Sequence, residues 1–180
     1  MCVYGHGVVR GIFEEVKEPN LVGFDVWLPM MDGDTEETAR QAADVFADNR
    51  VSQHWDAGRL LAKEVADVTG MKKTPWDTYL LYARGIRWED GKLAKPSFWM
   101  AQLPSAWGVD SSRLLDPGRF AAEVYRLLGK KDERDAADRW MHLHSRAVLE
   151  VRKKGEGFQE FMEQVQSPRS EEGCKESCAS

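Results

Sequence analysis

Three cysteines carry the reactive chemistry of this chain: Cys2 near one end, and Cys174 and Cys178 near the other. A thiolate attacks disulfides and peroxides, and the free amides and dipole of a helix N-terminus favour it. Cys2 stands just before a segment, Gly5 to Lys17, in which Val8, Val9, Ile12, Phe13 and Val16 recur at helical spacing. His6 follows Cys2 by four residues, about one helical turn, where a cationic imidazole would favour the thiolate. Cys2 and His6 are therefore the candidate catalytic residues. Cys174 and Cys178 are four residues apart in a polar tail and are candidate secondary thiols, for exchange with Cys2 or for a soft metal. The plainer reading of that pair is a variable tail with incidental cysteines.

Other polar groups make weaker cases. His142 and His144 sit two residues apart, so on a helix they point about 200° from one another and make poor joint metal ligands. His54-Trp55-Asp56 falls at a strand-to-helix junction, where His54 could act as acid or base with Asp56 beside it. The favoured assignment is structural: Asp56 caps the next helix and Trp55 packs. The aromatic set Trp76, Tyr79, Tyr82, Trp88, Phe98, Trp99 and Trp107 reads as core and sheet face, with part of it lining a groove beside the Cys2 site. No glycine-rich phosphate loop, zinc-type Cys/His spacing or Gly-x-Ser-x-Gly elbow occurs, so no metal and no cofactor is expected.

These residues belong to a chain of 180 residues, 42% apolar and 31% charged, with a formal net charge of −5. That length and composition suit one globular domain, or one domain plus an extension. Three cysteines are too few for a disulfide scaffold. The acidic balance speaks against a nucleic-acid partner. No apolar run nears the roughly 18 residues that cross a bilayer. The N-terminus lacks the basic and apolar regions of a signal peptide, so a cytoplasmic location is expected.

Patterning predicts the elements that position the chemistry. After the first helix, Pro19-Asn20 breaks the chain, and Leu21 to Met30 reads as a buried strand. Asp34 or Thr35 caps a helix running to about Asp48, with Glu37 closing a capping box if Asp34 is the cap. Val51 to Trp55 is a short strand, followed by a helix from Gly58 to Val68 closed by Gly70. Trp76 to Tyr82 and Ile86 to Glu89 read as strands joined in an antiparallel hairpin by Arg84-Gly85, and Phe98 to Leu103 as a further strand or a packed loop. Asp116-Pro117 starts a helix that Gly129 ends. Asp132 to Lys154 reads as one long charged helix and Ser167 to Ser180 as a tail. Alternating strands and helices predict an α/β domain containing a parallel pair.

This order resembles the thioredoxin-like superfamily with its first strand missing. The resemblance rests on Cys2 before the first helix, the buried strand Leu21–Met30, Pro75 ahead of Trp76–Tyr82, and the helix after Asp116. The stretch VWLPMMDGDTEETARQAADVFADNRVSQHWD is similar to bacterial thioredoxin-like proteins of poorly defined function. The resemblance covers residues 1–129 and implies a mixed sheet flanked by helices there; the change of character beyond it reads as a helical extension at 130–166 and a flexible tail at 167–180. The resemblance also implies a substrate groove shaped by Pro75 and Trp76, with Pro75 in the place of the family's cis-proline. The family's Cys-x-x-Cys is incomplete here, because only Cys2 is present. A strand and a first redox residue are accordingly expected upstream of Met1, for example behind a selenocysteine codon read as a stop.

The expected function is thiol–disulfide oxidoreduction through Cys2, with protein thiols or disulfides, or a small thiol, as partners. A non-catalytic interaction module on the same fold, and soft-metal binding by Cys2 with Cys174 and Cys178, are the alternatives.

Overall fold

Val8, Ile12, Phe13 and Val16 fall on one stripe of the first helix and are almost wholly buried, which is why this glycine-containing segment holds a helix. The computed structural model describes residues 3–43, 48–103 and 105–130. The tail cysteines, His142 and His144, the Asp132–Lys154 segment, the 130–166 extension beyond Lys130 and Cys2 itself lie outside the described residues. Among the described residues the chain forms a mixed α/β fold. Its elements are α1 (Val3–Glu15), β1 (Gly23–Trp27), α2 (Glu36–Ala43), β2 (Val51–Trp55), α3 (Leu60–Thr69), β3 (Thr78–Leu81), β4 (Phe98–Ala101) and α4 (Pro117–Leu127). Two short 3-10 turns, Ser105–Trp107 and Ser111–Arg113, link β4 to α4.

Local chemistry sets the helix ends. Thr35 caps α2: its hydroxyl accepts from the Thr38 amide at 3.1 Å and Thr38 Oγ1 accepts from the Thr35 amide at 2.9 Å. Asp34 instead folds back to accept from the amides of Met30 and Met31, so neither it nor Glu37 forms the expected box. The Asp56 carboxylate takes the first amides of α3, from Leu60 and Leu61, at 2.9 and 2.8 Å. Gly70, at φ 75°, closes that helix. Asp116 caps α4 by accepting from the Arg119 amide at 2.7 Å, with Pro117 in the first turn.

β1 and β2 form the expected parallel pair, in the register Gly23↔Val51 to Trp27↔Trp55. The antiparallel pair differs from expectation. β3 pairs with β4, in the register Thr78↔Ala101 to Leu81↔Phe98, and not with Ile86 to Glu89. The segment 84–92 is exposed throughout, and Asp90 and Gly91 both adopt positive φ. Only a single bridge, Glu89↔Lys92, forms there. Its apolar residues, Ile86 and Trp88, stay 39% and 48% exposed, so too little is buried to hold that segment as a sheet strand.

The two strand pairs are separate two-stranded sheets, with no described strand between them. α1 spans both. Phe13 lies against Gly23 of β1, while Val8, Ile12 and Val16 share an apolar cluster with Phe98 and Met100 of β4 and with Phe120, Ala121 and Val124 of α4. A second cluster, Met71, Ala101, Leu103 and Val109 with Trp76, Trp99 and Trp107 around it, fills the other end. On the side of β1 where Phe24 projects, Trp88 lies 6.2 Å from Phe24 and 5.8 Å from Tyr82, ring centroid to centroid.

Candidate functional site

The start of α1 is where the polar groups gather. The β period puts Gly23, Asp25 and Trp27 on the face of β1 turned to α1. Gln53 is the register partner of Asp25 on β2. Trp27 Nε1 donates to Gln53 Oε1 at 2.7 Å, and the His6 ring lies 6.3 Å from the Trp27 ring. His6 and Asp25 thus face each other beneath the first turns of α1, both partly buried.

Burial governs the electrostatics of this pair. Desolvation pushes the Asp25 carboxyl above its ordinary value, against weaker downward pulls from His6 and from the Gln53 amide. Desolvation likewise pulls His6 below its ordinary value, opposed by Asp25 and assisted by Arg10. The Gln53 amide leans toward Asp25, yet neither Gln53 Nε2 nor Asp25 Oδ2 completes a hydrogen bond, and both atoms are shielded from water. A buried acceptor and a buried donor left open in this way are costly. His6 in its neutral form is suited to accept a proton.

A second polar link touches the same turn of the helix. Tyr79 of β3 donates its hydroxyl to Gln102 Oε1 at 2.8 Å. Both atoms press against Gly5, where any side chain would collide with them. The Gln102 amide donates to the Asp77 carbonyl at 3.0 Å, which ties the loop carrying Pro75 and Trp76 to the start of α1. Pro75 is fully buried, and its peptide bond is trans. Trp76 packs edge-on to Trp107 at 5.1 Å, and Trp107 carries Lys73 Nζ over its face at 4.4 Å. Pro75 and Trp76 therefore sit in the apolar packing behind the helix start and reach it through Asp77, Gln102 and Tyr79.

His54 and Asp56 are not brought together as an acid–base pair. Both carboxylate oxygens of Asp56 serve the start of α3, and the His54 ring lies beside Ser52 Oγ at 3.1 Å and the Phe24 ring at 6.0 Å. Among the described residues no group of three His, Cys, Asp or Glu side chains is placed to hold a metal. No described helix is long and apolar enough to cross a membrane. Asp25 and Gln53 are the site residues that motif reading misses. Their signal is an acid alone in the apolar run Leu21–Met30, at the parity of Gly23 and Trp27.

Searches for relatives give no identification: no protein-family model, no curated protein and no solved structure matches this chain.

Proposed function

We propose that the protein is a thioredoxin-like thiol-redox protein that exchanges disulfides through Cys2. The observation that carries this reading is the His6–Asp25 pair beneath the first turns of α1, in a helix that Cys2 directly precedes in the chain. A neutral imidazole there serves as proton acceptor rather than as the cation expected from spacing alone. The Cys2 thiol gives its proton to His6, and the thiolate attacks one sulfur of a substrate disulfide. A Cys2–substrate disulfide forms, the substrate S–S bond breaks, and the departing thiolate takes the proton from His6. The thiolate of a small thiol of the glutathione class then attacks the mixed disulfide and releases the Cys2 thiolate. The net reaction transfers one half of the substrate disulfide to the small thiol. Pro75 and Trp76, packed behind the helix start, support the substrate side from beneath through Asp77, Gln102 and Tyr79.

Iodoacetamide labelling against pH, in a Cys174→Ser/Cys178→Ser background, tests this. The expected midpoint for Cys2 lies below the ordinary thiol value of about 8.5, and His6→Gln moves it. Disulfide reductase activity disappears in Cys2→Ser. An ordinary midpoint, or activity retained in Cys2→Ser, overturns the reading.

A second reading, a non-catalytic interaction module on the same fold, is favoured by the aromatic surface at Phe24, His54 and Trp88. Phe24 is 63% exposed and Trp88 48% exposed.

A further inference from the structure

Three polar side chains line up across the parallel sheet beneath α1. The register of β1 and β2 sets Asp25 beside Gln53, and the strand period puts Trp27 on the same face, diagonal to Gln53. An indole N–H only donates, so the end of the Gln53 amide that it meets at 2.7 Å is the carbonyl oxygen. The NH2 end is thereby turned from Trp27 toward Asp25. No hydrogen bond closes there, but the positive end of the amide faces the carboxylate. With the amide turned round, oxygen would face oxygen, and Asp25 would have to keep its proton to donate across the gap. Trp27 thus selects which of two nearly equal shapes Gln53 shows to Asp25. Asp25 in turn faces His6, and a carboxylate there favours the imidazolium.

We propose that Gln53 is a positioning residue for His6: Trp27 holds its amide with the NH2 end toward Asp25, and Asp25 in turn sets how readily His6 takes up a proton. Burial favours the uncharged forms of both Asp25 and His6; the Gln53 donor opposes it at the first, and the Asp25 carboxylate at the second. Trp27 and Gln53 therefore act through the carboxylate, not on the thiol itself. Of the other charged groups, Arg10 on α1 also bears on His6, and its guanidinium is paired with Glu14 at 2.7 Å. β2 brings Val51, Gln53 and Trp55, all uncharged, to this face. The use made of the His6 proton rests on the thiol-redox function; the relay from Trp27 to His6 does not.

NMR of the His6 imidazole protons against pH, in the full chain, reads the relay; the ring is assigned by its loss in His6→Gln. Gln53→Met keeps the length of the side chain and removes both amide ends. It is expected to move the His6 midpoint down, further from its ordinary value. Trp27→Phe keeps a ring beside His6 but frees the amide to turn, and moves the midpoint the same way by less. In an Asp25→Asn background neither change moves it further, because the step through the carboxylate is gone. A role in packing alone gives the opposite sign: a loosened sheet admits water and lets His6 rise toward its ordinary value. An upward or unchanged midpoint in Gln53→Met overturns the proposal, and so does a downward movement that persists undiminished in Asp25→Asn. If Gln53→Met does not fold, the same outcomes in Trp27→Phe decide. Iodoacetamide labelling of these variants, in the Cys174→Ser/Cys178→Ser background, keeps the thiol function separate. Where the His6 midpoint falls, that of Cys2 is expected to rise; a Cys2 midpoint that stays in place overturns the thiol function and leaves the relay standing.

Discussion

The guanidinium of Arg50 donates to the carbonyl of Val16 at 2.5 Å, so a residue leading into β2 closes the C-terminal end of α1. It donates also to the carbonyl of Phe13 and lies over the Phe13 ring at 4.8 Å, while Asp48 holds it from the other side at 2.7 Å. One planar fork thus satisfies helix carbonyls that would otherwise be left open. Arg50→Ala is expected to cost about 2–3 kcal/mol in urea unfolding. Arg50→Lys keeps the charge but loses the fork, and should recover only part of it. A loss no larger than that of an exposed arginine such as Arg40 would count against the cap.

The same pair sets an acid limit. Hydrogen bonds from Arg50 hold Asp48 down at about 2, against an ordinary value of 3.8. A carboxyl with a depressed native pKa contributes stability that is complete above its ordinary value and lost as pH falls towards its native one. Acid unfolding between pH 4 and pH 2 should therefore flatten in Asp48→Asn, and that variant should be less stable than wild type at pH 6. Parallel curves for the two proteins through this window would contradict the assignment.

Asp25 predicts the opposite sign. Its carboxyl binds the proton more tightly in the native state, so its contribution falls as pH rises above 3.8. Asp25→Asn should raise Tm at neutral pH, and the gain should vanish in acid below that value. Asp25 also supports the charged form of His6, so the His6 midpoint, read by NMR of the imidazole protons, should move further down in this variant. An upward movement would show that the two groups do not face each other.

His6, held below its ordinary value, favours the native state when neutral. Its contribution is complete above pH 6.5 and is lost as pH falls into the depressed native range. His6→Gln should remove the slope of stability against pH in the region just below 6.5, leaving the acid limb of Asp48 in place.

Two glycines in α1 should respond in opposite ways to alanine. A Cβ on Gly5 would lie 1.7 Å from Tyr79 Oη and 2.3 Å from Gln102 Oε1, so Gly5→Ala must displace that hydrogen bond and is expected to cost about 1–3 kcal/mol. Adding Tyr79→Phe recovers only part, because the ring carbon itself would stand 2.4 Å away. Gly7 is exposed and its Cβ would meet nothing, so Gly7→Ala should stabilise by about 0.5–1 kcal/mol. Thermal or urea unfolding of the two variants, side by side, checks the contrast.

What could be read from sequence was what local chemistry decides. Val51–Trp55 as a strand, the Asp56 and Asp116 caps, Gly70 as a helix stop and the parallel pair all follow from propensity, capping and alternation. β1 is shorter than the run Leu21–Met30, ending at Trp27, just ahead of Leu28-Pro29, where Pro29 lacks a donor. The partner of β3 was not legible, because Arg84-Gly85 is a good turn in isolation and only long-range packing of Phe98 and Met100 against α1 selects β4. Asp25 and Gln53 were not legible as a pair for a similar reason: their meeting depends on the register of two strands far apart in the chain. His6 stood out as a residue type at a spacing, but its charge state is decided by burial, which spacing does not report.

The helix that holds the two sheets together is weak on its own terms. α1 contains Gly5, Gly7 and Gly11, each costing about 1 kcal/mol of helix propensity relative to alanine, so contacts with both sheets keep it folded. Because the sheets share no hydrogen bonds, loosening of α1 releases each from the other without melting either. The domain should accordingly open by a sub-global route, in which the amides of α1 exchange together and ahead of those buried in the β3–β4 ladder. The residues at the start of this helix, His6 among them, thus lie on the part of the molecule that opens first.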